Sequence, residues 1–362
     1  MCRWNVISVV IHNARLPHAG WVWLVPVIVA ITTFGAGASE IELSRRVAVM
    51  GTVLETTVSA RDRGTALAAS QSLLDAVDEV ERRLSTWRED SELSRFNRSA
   101  SGTEISLSPE LEADLREVRR WWLETGGAFD PGLSSLVEAW DLRGRGKEPS
   151  ASELAAARAA AGLDHLVLGS GAGSRSVAGF GIEEGGFGKG VALREAAAAA
   201  LAAGASCVVM NFGGQVQVAG GCEDQWVKIA DPRQRNRDVA RLSLDSGSAA
   251  TSGNSERGMV VDGVELGHLL DPLSGRPVPS WGAVTVVAGD PVTADCLATA
   301  LYVMGPGRGA EWLLANMGIE AVFAEGGGTT TKLTATAGLR GRLVASEGTI
   351  SYLQRESPNT TK

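Results

Sequence analysis

The chain has 362 residues, 44% of them hydrophobic and 21% charged, which suffices for one large domain or two intimate ones and excludes a disordered protein. Its net charge is −8 and its basic residues are scattered, so no nucleic-acid footprint is present. Four cysteines lack zinc-like spacing, and no metal site rests on them.

The first 38 residues differ from the rest. Arg3 and Arg15 precede an apolar segment at 21–34, and Ala36-Gly37-Ala38 is a small-residue cleavage pattern. This predicts a signal peptide over 1–38, a single domain over 39–362, and an exported product, periplasmic or attached to the outer face of the inner membrane. The apolar segment has 14 residues, including Pro26, short of the about 20 that a spanning helix needs. An uncleaved anchor is the alternative.

Residues 46–59 are β-branched and roughly alternating, which predicts one or two strands with Gly51 as a bulge or close-approach point. A helix is predicted over 65–84, with Leu67, Leu74, Val77 and Val80 on one face. Ser85-Thr86-Trp87 closes it, and the plain reading of Trp87 is a hydrophobic plug. A short helical turn follows at 91–97. Ser108 caps a helix over 109–125, with Pro109 at its first position and Gly126-Gly127 as its stop. Ala128-Phe129-Asp130-Pro131 turns the chain. Residues 141–149 read as an exposed basic loop and 152–161 as an alanine-rich helix, neither with a chemical signal.

Glu183-Glu184-Gly185-Gly186-Phe187-Gly188-Lys189-Gly190 opens a helix that ends at Gly204. Glycines there let backbone approach a phosphate, and Lys189 adds a point charge. The stretch is not a P-loop, which needs a glycine at Glu183 and a hydroxyl at Gly190, and it lacks the third glycine of a dinucleotide fingerprint. A tight helix start with no ligand is the competing reading. Residues 207–218 predict a strand, a glycine turn and a second strand; 226–233 and 240–244 predict further strands. A Cys207 to Cys222 bridge is open, with buried free thiols the default expectation. Residues 250–257 read as a polar, glycine-hinged loop.

His268 falls at a strand end before a turn marked by Asp271-Pro272 and Gly275-Arg276-Pro277. A buried strand at 284–288 ends at Asp290-Pro291. Thr293 then caps a helix that Gly305-Pro306 closes. Asp295 and Thr299 stand at i and i+4, so their oxygens face one way and form a half-shell suited to Mg²⁺. The plainer alternative gives Asp295 to the helix dipole and Thr299 to its own backbone. One or two late strands follow Gly326.

In this order the pieces resemble the exported FAD:protein FMN transferases of the ApbE family, over about residues 47–345. The motifs are Met50-Gly51-Thr52, Leu84-Ser85-Thr86-Trp87, Gly127 to Pro131, Gly185-Gly186 with Lys189-Gly190, Asn211 to Gly214, Thr251-Ser252-Gly253, His268 to Pro277 and Ala294 to Leu301. The resemblance implies an α+β, ApbE-like (T-fold-like) unit whose two α/β halves clasp FAD. It implies Mg²⁺ on the Gly186 carbonyl, Asp295 and Thr299, and flavin contacts from Met50, Trp87, Ala128, Phe129, Asp130, Glu183, Lys189 and Leu270. Asp295 and His268 would be catalytic, His268 as general base or proton shuttle. The implied reaction moves FMN from FAD to a threonine of an exported or membrane redox protein bearing a flavinylation motif, and AMP leaves. A Mg²⁺-dependent FAD pyrophosphatase and a non-catalytic FAD-binding protein are the alternatives. The chain departs from the family pattern at Glu183-Glu184, where Asp-Leu is usual, at Gln215, where an Asp is usual, and at Ala298, which brings no oxygen. The extra charge of Glu184 is expected to weaken FAD binding unless a metal offsets it.

Overall fold

The structure is a computed structural model and describes residues 40–254, 258–261, 264–316, 318–327 and 330–354. The expected signal segment lies outside the described residues. Strands β1 (Ile41–Val49) and β2 (Thr52–Ala60) form a hairpin in register from Val49 opposite Thr52 to Ile41 opposite Ala60. Gly51 is thus a turn residue and not a bulge. Met50 and Gly51 take φ of 47° and 70°, the mirror-image turn that suits a twisted hairpin, and Met50 does so without glycine's freedom.

Helix α1 (Arg63–Leu84) starts at Asp62, whose carboxylate accepts from the Thr65 amide, and buries Ala66, Ala69, Leu73, Val77, Val80 and Leu84 at helical spacing. Leu67 was expected on that face and is instead 41% exposed, because the true stripe passes through Ala66 and Ala69. Then come α2 (Glu92–Asn97), β3 (Ile105–Ser106), α3 (Pro109–Glu124), α4 (Ser134–Ala139), α5 (Ala151–Ala160), β4 (Leu166–Leu168), β5 (Ala172–Arg175) and α6 (Gly188–Ala202). Ser108 caps α3 through the Leu111 amide, as the Ser-Pro pair predicted.

The second half holds β6 (Cys207–Phe212), β7 (Gln215–Gly220), β8 (Trp226–Asp231), β9 (Gln234–Ser243), β10 (Gly247–Gly253), β11 (Gly258–Val261), β12 (Val264–Gly267), β13 (Leu270–Asp271), β14 (Arg276–Pro277) and β15 (Gly282–Ala288). It ends with α7 (Pro291–Ala315), β16 (Glu320–Gly327), β17 (Thr330–Ala335), β18 (Leu343–Ala345) and β19 (Ile350–Tyr352). Residues 250–253 are strand, not loop; Thr251 is accommodated because its hydroxyl pairs with that of Thr285 across β10 and β15, 2.8 Å away. Helix α7 begins two residues before Thr293, with Asp290 as its cap. Gly305, at φ 74°, breaks it as expected, yet helix resumes to Ala315.

One nine-stranded sheet, in the order β1-β2-β6-β7-β10-β15-β16-β17-β19, carries the architecture and is antiparallel except for β17 with β19. The chain is α+β. Helices α1 and α6 pack with β1, β2, β6 and β7, while α7 packs with β10 and β15, which gives two α/β halves. Three residue pairs between β7 and β10 join them. Alternate residues of the central strands point to two cores: Val208, Val286 and Phe323 to the helices, and Val209, Val287 and Val322 to a layer built on β8, β9 and β18. Cys207 and Cys222 form a disulfide, against the expected free thiols; the strand pairing brings their Cα atoms to 5.0 Å. Cys296 is free and buried.

Candidate active site

The first helical turns of α6 and α7 cross, and that crossing is the floor of the site. It requires glycine at 190: a Cβ there would lie 2.6 Å from the Pro291 carbonyl oxygen and 2.7 Å from Val292 Cα. The Gln215 amide donates to the same Pro291 carbonyl, 2.8 Å, and to Ser248 Oγ, 3.1 Å. Gln215 is 1% exposed, so it fixes the start of α7 and presents nothing to a ligand.

Asp295 sits one turn into α7 and is 4% exposed. Its Oδ2 accepts from the Gly190 amide at 3.1 Å, and its two oxygens accept from Lys189 Nζ at 3.1 and 3.3 Å. Lys189 also donates to the Gly185 carbonyl at 3.1 Å. Thr299, one turn further on, has Oγ1 3.2 Å from where a Gly186 Cβ would be, and the Phe129 ring edge is equally close. Asp295 and the Gly185-Gly186 turn meet through Lys189, and Thr299 meets the same turn at Gly186; the i, i+4 spacing puts the two side chains on one helix face, and the resemblance adds Gly186.

A wall rises beside this floor. The Met50 amide donates to Glu81 Oε1 at 2.9 Å, and Met50 Cε and the Glu184 side chain both lie beside Gly188. Glu184, 7% exposed, accepts from the Thr86 amide at 3.1 Å and from Thr86 Oγ1 at 2.5 Å. Arg143 donates to the Thr86 carbonyl at 3.0 Å, to Thr86 Oγ1 at 2.6 Å and to Glu183 at 2.5 Å. Its guanidinium lies over the Trp87 ring, 5.0 Å from the centroid. Burial pushes the Glu183 carboxyl upward, and the Arg143 charge opposes that shift.

Two readings from sequence fail here. Trp87 is no plug, since it is 60% exposed and held from one side by Arg143. The loop at 141–149 is not inert, since Arg143 turns inward to pair with Glu183 and, through Thr86, ties in Glu184. The only hint in the sequence was the Glu183-Glu184 pair itself, because two adjacent carboxylates beside a glycine turn call for a cation.

Ala128 and Phe129 are buried, the Phe129 ring edge against Gly186. Asp130 accepts from the Gly132 amide at 2.7 Å and the Leu163 amide at 3.2 Å, so it braces the turn after Phe129. Burial raises its pKa from 3.8 to about 6 despite those donors. Leu270 belongs to a small core with Leu136, Trp140, Leu154 and Ala157, which seats the β13–β14 hairpin on α4 and α5. His268, half-buried, lies between β12 and β13. Its neighbour Gly267 packs against Asn254, whose amide donates to the Val278 carbonyl at 2.8 Å. His268 and Leu270 thus come from the β12–β14 segment and not from the helix starts that carry Lys189 and Asp295.

Among the described residues no three His, Cys, Asp or Glu side chains group as metal ligands. The donors in the floor are of another kind: one carboxylate, one hydroxyl and turn carbonyls, all hard oxygens of the sort Mg²⁺ takes alongside water. The Lys189 ammonium rests on three such oxygens, two of Asp295 and one of Gly185, so the position accepts positive charge. These residues fit a small divalent cation.

A profile of the ApbE family matches residues 50–323, which spans every candidate residue from Met50 to Thr299. The chain belongs to the ApbE family. It is 31% identical over 263 residues to the FAD:protein FMN transferase of Vibrio cholerae serotype O1, covering 69% of this chain and 78% of that one. With the FAD:protein FMN transferase of Rhodobacter capsulatus it shares 32% identity over 320 residues, 85% of this chain and 59% of that longer one. Among solved structures, flavin transferase ApbE from Vibrio cholerae superposes with a TM-score of 0.73 at 26% identity, covering 83% of this chain and 99% of that one. The apo form of the Pseudomonas stutzeri flavinyl transferase ApbE gives 0.74 at 25%, covering 86% and 98%. Within this ApbE frame Gln215 supports the floor by holding the start of α7, and Glu184 is tied to Thr86 in the wall.

Proposed function

We propose that the chain transfers the FMN half of FAD to a threonine hydroxyl of a target protein. The threonine oxygen bonds to the FMN-side phosphorus, the bond to the bridging oxygen breaks, AMP leaves with that oxygen, and the hydroxyl proton is released. The observation that carries this reading is the Lys189–Asp295–Thr299 cluster against the Gly185-Gly186 turn, within the ApbE-family frame. Lys189 supplies charge for the diphosphate, and the glycine turn lets backbone approach it. Bound at Asp295, Thr299 and Gly186, Mg²⁺ would neutralise diphosphate charge. His268 takes the hydroxyl proton, a role that neutral imidazole fills near pH 7.

The ApbE relatives support the FAD and protein-substrate halves of this reading; the threonine, the metal and the export are our extension. A disulfide between Cys207 and Cys222 suits an oxidising compartment and is consistent with a cleaved leader. Non-catalytic binding loses its motive, since Glu184 and Gln215 are engaged with Thr86 and Pro291.

The test mixes the purified chain, FAD, Mg²⁺ and a peptide with a central flavinylation-motif threonine, and follows peptide mass. An FMN adduct is expected; free FMN and AMP without adduct would assign hydrolysis instead. Asp295→Ala should lose FAD affinity and turnover together. His268→Ala should keep FAD affinity and lose turnover by about 10² to 10⁴, the range of general acid-base help. Loss of affinity at an unchanged saturated rate in His268→Ala would reassign His268 to binding.

A further inference from the structure

An exposed tryptophan with a guanidinium on one face and open space on the other is a platform for a flat ring. Trp87 is 60% exposed and stands two residues after Ser85, which is 1% exposed and fixed at the end of α1. Arg143 reaches across from the loop after α4 and makes four contacts at once. It bonds the carbonyl and hydroxyl of Thr86, bonds Glu183, and lies over the indole. Thr86 is in turn bonded to Glu184, the residue before the glycine turn. The planar guanidinium therefore locks Trp87 to the same turn whose carbonyl holds Lys189. Lysine cannot reproduce this, because an ammonium has neither the fork nor the flat face.

We propose that Arg143 is a positioning residue for the flavin: it fixes the Trp87 indole so that its free face receives the isoalloxazine ring, while the Lys189 side of the turn receives the diphosphate. This rests on the flavin-transfer reading above. It assigns to Arg143 the recognition of the ring half of the substrate and no part in recognition of the adenosine half. Arg143 acts through Trp87, so the two residues must be energetically coupled.

Calorimetric titration with FMN and with ADP separates the halves. In Arg143→Met, FMN affinity should fall about 3- to 10-fold, the scale of a cation–π contact and the order it imposes, while ADP affinity stays within about twofold. Arg143→Lys should lose FMN affinity to a similar extent. In a Trp87→Ala background, adding Arg143→Met should cost less than about twofold more. Equal losses for FMN and ADP, rescue by lysine, or full additivity with Trp87→Ala would each overturn the proposal. Retained ADP binding shows that the variants are folded. If the wild-type chain binds neither FAD nor FMN, it is the flavin-transfer reading that fails, whatever the coupling.

Discussion

The floor and the wall of this site are built on opposite principles. The floor is two helix starts pressed together over a continuous sheet: Gly190 lets them touch, Gln215 and Asp290 fix where α7 begins, and Asp295 projects from a helix whose first turn is buried. The wall is assembled from separate connecting segments, tied together by Arg143, Glu183, Glu184 and Thr86. Close packing leaves the floor one arrangement, whereas polar ties hold the wall only while every partner is present. Chemistry that needs fixed distances to a diphosphate belongs on the first, and adjustment to a ring system belongs on the second.

The largest expected effect breaks the floor. Gly190→Ala drives a Cβ into backbone of α7 that cannot rotate away, and should cost about 3 kcal/mol of stability, the upper range for overpacking. Gly185→Ala is the control, since nothing lies within 4 Å of its added carbon, and it should cost about 1 kcal/mol or less. Urea unfolding of both variants reads this out. Equal destabilisation would mean that the crossing has slack and the floor is no more rigid than the wall.

This contrast also explains what could be seen in the sequence. Asp295 and Thr299 share a helix, and Gly185-Gly186 precedes one, so local periodicity and breaker residues exposed the floor directly. Arg143 meets partners 57 and 40 residues away in sequence, and nothing local tells it from Arg145 or Lys147 in the same loop. Residues 250–253 carry loop-like letters but lie in the middle of the sheet, where the Thr251–Thr285 hydroxyl pair supplies what composition concealed. An odd number of cysteines after residue 38 hid the disulfide, since Cys296, sealed in the helix core, left the count unpaired.

A smaller effect sharpens the comparison from inside the floor. Lys189 holds both oxygens of Asp295, which a divalent cation would also use, so the two compete until FAD draws the ammonium towards its diphosphate. Lys189→Ala should therefore bind Mn²⁺ about 10- to 100-fold more tightly than wild type when FAD is absent, and bind FAD more weakly, in the usual range of coupling between sites. Electron paramagnetic resonance titration of free Mn²⁺ measures the first without any turnover. Unchanged or weaker Mn²⁺ binding in the variant would place the cation elsewhere.

The smallest effect concerns acid, and it should appear at the turn that seats Phe129 against Gly186. Asp130 braces the turn after Phe129, and burial lifts its pKa from 3.8 to about 6. A carboxyl whose folded pKa lies above its unfolded one binds its proton more tightly when folded. Its contribution to stability is therefore complete below pH 3.8 and is lost as pH rises through 6. Asparagine mimics the protonated acid at all pH values while keeping one acceptor for the Gly132 or Leu163 amide. Asp130→Asn should accordingly gain on wild type by about 1 to 2 kcal/mol between pH 4.5 and 7, starting from near equality or a small deficit at the acid end. Unfolding midpoints in urea at pH 4.5, 6 and 7 decide it. Parallel curves for the two proteins would mean that Asp130 ionises normally, and that the turn carrying Phe129 to Gly186 is as insensitive to acid as the helix crossing it leans on.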